Sequence, residues 1–138
     1  FLAGTPGVLG MAALDAALDV FDDVSLAEVR AKSQALTQAF IELVSELDLP
    51  GVGILSPLQA EKRGSQVSLT HEHAFAVTQA LISHGIIVDF RAPDIVRFGF
   101  SPLYNTFTEA GRAAGVLAQI IQNELFLEAR YSVRQKVT

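Results

Sequence analysis

The stretch from Gly85 to Thr106 constrains this chain more than any other: two β-rich runs flank Ala92-Pro93-Asp94. Ile86, Ile87, Val88 and Phe90 favour strands, Pro93 and Asp94 favour a turn, and Ile95 to Phe100 is β-branched or aromatic at all but two positions. A hairpin is predicted, and a hairpin needs further strands and a covered face to be stable. Because side chains alternate across a strand, Val96, Phe98 and Phe100 share one face, and Ile95, Arg97 and Gly99 share the other. Arg97 therefore points away from the apolar side. Gly99, two residues on, leaves room beside the guanidinium for an anion. A second role for Arg97 stays open on residues alone: a solvated or ion-paired side chain, with Asp89 and Asp94 close enough in sequence to be its partners.

The elements around the hairpin can be read in order. Thr5 before Pro6 before an Ala/Leu-rich run predicts a helix start, with Thr5 as N-cap. Ser25 and Glu28 form a capping box opening a core-packing helix from about Leu26 to Leu47, its apolar residues at Leu26, Val29, Leu36, Phe40, Leu43, Val44 and Leu47. Val52 to Leu55 reads as a short strand. Ser65 to Thr70 alternates, with Val67 and Leu69 on one face and Gln66, Ser68 and Thr70 on the other, the pattern of a half-covered strand. Ala74 to His84 is a helix stopped by Gly85, and a second capping box, Thr106 with Glu109, opens a long helix through Leu127. For that order, the economical fold is α+β: a mixed or mostly antiparallel sheet of about four strands with helices on one face. The other, polar face then carries Arg97.

Composition narrows the function classes. At 138 residues, half of them hydrophobic, the chain suffices for one domain. A net charge of -5 and the lack of a Lys/Arg block argue against a nucleic-acid partner. No apolar run is long enough to cross a bilayer. The absence of cysteine removes disulfides and thiolate chemistry, and a cytoplasmic location is expected. His71, His73 and His84 read as structural, since no cysteine or carboxylate set accompanies them at metal-ligand spacing. No Gly-rich phosphate loop, Ser-His-Asp set or paired carboxylates stand out. The chain starts at Phe1, with its only methionine at position 11, so a piece of a longer polypeptide is expected.

The run Val88-Asp-Phe-Arg-Ala-Pro-Asp-Ile-Val-Arg-Phe-Gly-Phe-Ser-Pro-Leu-Tyr-Asn-Thr-Phe107 resembles the carboxy-terminal region of kynureninases, pyridoxal-phosphate enzymes of the aspartate-aminotransferase fold type. Arg63 to Ser68 is similar to a strand opening in that family, Phe1 to Thr5 to its bacterial version, and Arg130 to Thr138 to the bacterial terminus. The resemblance implies that residues 1–138 are a carboxy-terminal small domain, with 1–21 an interdomain helix region and a large cofactor-binding domain ahead. It implies hydrolysis of L-kynurenine to anthranilate and L-alanine with pyridoxal 5'-phosphate, in a homodimer. Arg97 would hold the substrate carboxylate, and Thr5 would contact the cofactor phosphate in the neighbouring subunit. The resemblance also implies that the cofactor lysine lies outside this chain, whose own Lys32, Lys62 and Lys136 are all in polar stretches; the chain alone is expected to be inactive. Two other classes stay open: the small domain of another pyridoxal-dependent lyase or transaminase such as a cysteine desulfurase relative, and a free-standing module that binds a small anion.

Overall fold

The structure, a computed structural model, describes Gly4 and residues 7–133. Its elements are α1 (Val8–Leu18), α2 (Leu26–Glu46), β1 (Gly53–Ile54), β2 (Gln66–Thr70), α3 (Ala74–Ser83), β3 (Asp89–Arg91), β4 (Ile95–Gly99), α4 (Phe107–Gln122) and α5 (Ala129–Ser132), with three short 3-10 turns between them. The strands form one antiparallel sheet in the order β1-β2-β4-β3. This is the α+β arrangement that the strand alternation and helix periodicity predict.

Register fixes which residues share a face. Val67 pairs with Phe98, and Leu69 with Val96, and all four are almost completely buried beneath a helical layer in which α2 and α3 meet the strands and α4 packs against both. Phe40 of α2 sits between Phe98 and Phe100, ring centroids 4.7 and 5.1 Å away. Burying side chains of this size stabilises by about 1.5–3 kcal/mol each, so this face anchors the domain. The buried stripe of α2 is Ser33, Leu36, Thr37, Phe40, Ile41 and Val44, an i, i+3, i+4 progression. Leu26 and Leu43, expected inside, are exposed, whereas the polar Ser33 and Thr37 are buried.

Both hydroxyls have tertiary partners: Ser33 Oγ lies 2.7 Å from Ser65 Oγ, and Thr37 meets Arg63. Arg63, only 5% exposed, donates from Nε to the Thr37 hydroxyl (3.0 Å), from Nη1 to the carbonyls of Pro57 (2.9 Å) and Leu58 (2.8 Å), and from Nη2 to Oε1 of Gln38 (2.7 Å). Arg30 of α2 in turn donates to the carbonyls of Arg63, Ala60 and Glu61. The segment between β1 and β2 is thereby fastened to α2. Its first residues continue along β2, where the Leu55 and Ser56 amides donate to the Ser68 carbonyl and the Ser68 amide donates to Ser56 Oγ. The polar face is consequently only partly open, and Ser68, expected on an uncovered face, is buried.

Three element boundaries differ from the sequence expectation. The first helix begins at Val8, with Gly7 at the N-cap and no side-chain cap; Thr5 and Pro6 lie outside the described residues. Residues Ile86 to Val88 are not strand. The Gly85 amide returns to the Ile82 carbonyl and the Ile86 amide to Leu81, the double bond of a Schellman helix end, with Gly85 at φ +77°. These amides therefore close α3 instead of extending β3. The long final helix ends at Gln122, where the side chain and amide of Asn123 both donate to the Gln119 carbonyl and Glu124 turns left-handed (φ +50°). Phe126 still reaches the core, but from a 3-10 turn. Both capping boxes form as predicted, Ser25 with Glu28 and Thr106 with Glu109.

Candidate functional site

The hairpin β3–β4, whose turn contains a cis peptide before Pro93, places Asp89 directly opposite Arg97. On the other side of β4, Ser68 of β2 is the register partner of Arg97. Arg97 thus lies mid-sheet on the polar face, its side chain 30% exposed. Gly99 is exposed beside it, and a Cβ placed there would meet nothing within 4 Å. The space that the alternation predicted next to the guanidinium is present.

Asp89 is the partner of Arg97, and Asp94 is not. Oδ2 of Asp89 accepts from Nε of Arg97 at 2.9 Å and also from its Nη2. Asp94 instead contributes its backbone carbonyl to the His71 amide (3.0 Å). A third charge joins the pair: Nη2 of Arg91, two residues from Asp89 on the same strand face, lies 3.2 Å from the same Oδ2. One carboxylate between two guanidinium groups leaves a net positive charge on this part of the sheet, within a chain whose overall charge is -5. The site therefore favours an anion by local charge as well as by donor geometry.

Thr5, the other predicted site residue, lies outside the described residues, so Arg97 is the one placed by the structure. Lys32 is half-buried on α2 and Lys62 is exposed beside the fastened loop; Lys136 is outside the described residues. Neither described lysine belongs to the strands that flank Arg97. The histidines are accounted for structurally. Nδ1 of His71 accepts from the His73 amide (3.1 Å), and its ring packs against Phe126. Nδ1 of His84 lies 2.8 Å from the Ala80 carbonyl at the end of α3. Among the described residues, no group of three or more His, Asp or Glu is placed to hold a metal ion. No helix among them is long and apolar enough to cross a membrane.

Sequence reasoning passed over Arg63 as a structural centre. Its only signal was a cation just before an alternating strand, and the buried hydroxyl that receives it, on Thr37, lies far away in sequence, on α2. Burial lowers its pKa, with the positive charge of Arg30 adding to that effect and Glu61 opposing it.

A sequence model described as the kynureninase C-terminal domain matches residues 29–117, a range that contains both β-sheet partners of Arg97. The chain belongs to the kynureninase family. It is 42% identical to the kynureninase of Pseudomonas fluorescens over 100% of this chain and 33% of the relative, and 49% identical to that of Deinococcus radiodurans over 88% of this chain and 30% of the relative. The kynureninase of Burkholderia mallei is 39% identical, again over 100% of this chain and 33% of its own length. The chain therefore spans about a third of the length of these kynureninases. Of the classes left open by the sequence, membership in this family displaces the cysteine desulfurase relative.

Proposed function

We propose that this chain is the small domain of a pyridoxal-phosphate-dependent kynureninase, hydrolysing L-kynurenine to anthranilate and L-alanine, and that Arg97 holds the substrate's α-carboxylate. The observation that carries the reading is a guanidinium on the sheet's polar face, flanked by an open glycine and fixed by a cross-strand carboxylate. A planar guanidinium gives two parallel hydrogen bonds to one carboxylate and so fixes both its position and its rotation. In such an enzyme the cofactor acts as the electron sink, and the protein's task is to hold the bond to be broken in the reactive orientation. Arg97 contributes to that orientation from the amino-acid end. The cofactor lysine belongs to the part of the protein ahead of this chain.

The assembly side of the proposal rests on α1. This helix buries none of its residues, and Val8, Leu9, Met11, Leu14 and Leu18 are all more than half exposed. Apolar residues lie all round it, the pattern of a helix enclosed by other protein. That supports residues 1–21 as an interdomain region lying against the large domain and the neighbouring subunit of a homodimer, where Thr5 contacts the cofactor phosphate.

The test is kinetic and uses the full-length protein. Losing one member of a desolvated charge pair costs roughly 2–5 kcal/mol, so Arg97→Ala should lower kcat/KM for kynurenine by tens to thousands of fold, with Arg97→Lys in between. The decarboxylated analogue of kynurenine decides the cause. A carboxylate clamp requires that the mutation abolish the wild type's preference for the carboxylated substrate; an unchanged preference, with a lowered melting temperature, would leave Arg97 as a structural ion pair only.

A further inference from the structure

We infer that Asp89 is a positioning residue, which holds the Arg97 guanidinium by one edge so that its other edge is presented to a carboxylate. The inference rests on the reading of Arg97 as the clamp and adds how that clamp is aimed.

A guanidinium has a side-on edge, where Nε–H and one Nη2–H run parallel, and an end-on edge, where the other Nη2–H and an Nη1–H run parallel. Asp89 takes the side-on edge: its Oδ2 accepts from Nε and Nη2. Among the described residues Asp89 is the hydrogen-bond partner of this side chain, and the end-on pair has none. That remaining pair matches the two oxygens of one carboxylate.

The cross-strand register explains why the hold is firm. Asp89 and Arg97 are directly opposed on β3 and β4, so the carboxylate reaches the guanidinium from a backbone position fixed by the ladder. Arg91 adds to this by sharing Oδ2, which gives the carboxylate a second cationic partner and offsets its charge. With the Arg91 charge present, a bound Asp89 does not cancel the attraction of Arg97 for an incoming anion. Pairing with Asp89 and clamping a substrate are thus compatible uses of one side chain, on two different edges.

The alternative role for Asp89 is that of a competitor, which occupies Arg97 until substrate displaces it. The two roles predict opposite signs. The measurement is the ratio of kcat/KM for kynurenine to that for its decarboxylated analogue, in full-length wild type, Asp89→Ala, Asp89→Asn and Arg97→Ala. As a positioning residue, Asp89→Ala lowers the ratio by about 10- to 100-fold through an arginine that no longer points one way, while kcat/KM for the analogue hardly changes. Asp89→Asn, which keeps an acceptor but not the charge, falls between Ala and wild type. A ratio at or above wild type in the alanine variant, or in the asparagine variant should alanine prevent folding, overturns the inference. Arg97→Ala separates the two failures. If it erases the preference while the Asp89 variants keep it, the clamp stands and only the role of Asp89 is lost; if it too keeps the preference, both readings are lost together.

Discussion

His71 is held in one protonation state by the atoms around it. Its Nδ1 accepts from the His73 amide, so the ring proton sits on Nε2, and adding a second proton would set an N–H against an N–H. Burial lowers its pKa below the ordinary 6.5, the neighbouring His73 lowers it further, and Glu72 partly opposes both. The folded state then takes up fewer protons than the unfolded chain as pH falls below 6.5. The stabilising contribution is complete above that value, declines as pH drops through it, and is gone once pH has passed the lower folded value. Thermal unfolding of the chain between pH 7.5 and 5 should show this as a falling melting temperature. His71→Asn, whose Oδ1 can accept the same amide without titrating, should flatten the fall; parallel slopes for the two proteins would locate the dependence elsewhere. The capping carboxylates Glu28 and Glu109 are held below their ordinary range, chiefly by hydrogen bonds from Ser25 and Thr106, and titrate at more acid pH.

At the scale of elements, α1 differs from every other long helix. α2, α3 and α4 each bury one stripe, whereas α1 exposes its whole apolar circumference, with Leu9 88% and Val8 79% exposed. An exposed leucine contributes little to this domain by itself, but covering one stabilises by about 1.5–3 kcal/mol. Leu9→Glu should therefore leave the melting temperature of the 138-residue chain nearly unchanged, as exposed substitutions generally do. In the full-length protein the same substitution should lower thermal stability or dissociate the proposed dimer. Equal, small effects in both proteins would show α1 to be solvent-facing in the assembly too. Local signals were enough to find this helix and both capping boxes. They failed at the start of β3, because the Schellman bonds of Gly85 and Ile86 draw on a helix end that strand propensity does not register.

At the scale of the whole molecule, the proposal assigns substrate orientation to this domain and the cofactor lysine to the rest of the enzyme. Lys62 is exposed and Lys32 is half-buried on α2. The 138-residue chain mixed with pyridoxal phosphate and reduced with borohydride should give no stoichiometric adduct, and it should not turn over kynurenine. A single lysine labelled to completion in a mass spectrum would contradict the division of labour between this domain and the rest of the enzyme.

The sequence by itself determined the strand faces, the starts of α2 and α4 and the side of the sheet on which Arg97 stands. Each of these follows from a repeat of two or 3.6 residues, or from a cap of four, and so lies within a short window. Tertiary structure alone decided which acid meets Arg97. Asp89 and Asp94 are both near in sequence, but the β3–β4 register sets Asp89 opposite, and the amide of His71 takes the Asp94 carbonyl. It also decided that Ser33 and Thr37 face inward, since Ser65 and Arg63 reach them on α2 only once the loop has folded across it. Both outcomes depend on residues brought together by chain crossing, and the free energy of such a contact is absent from any window that contains only one of its partners.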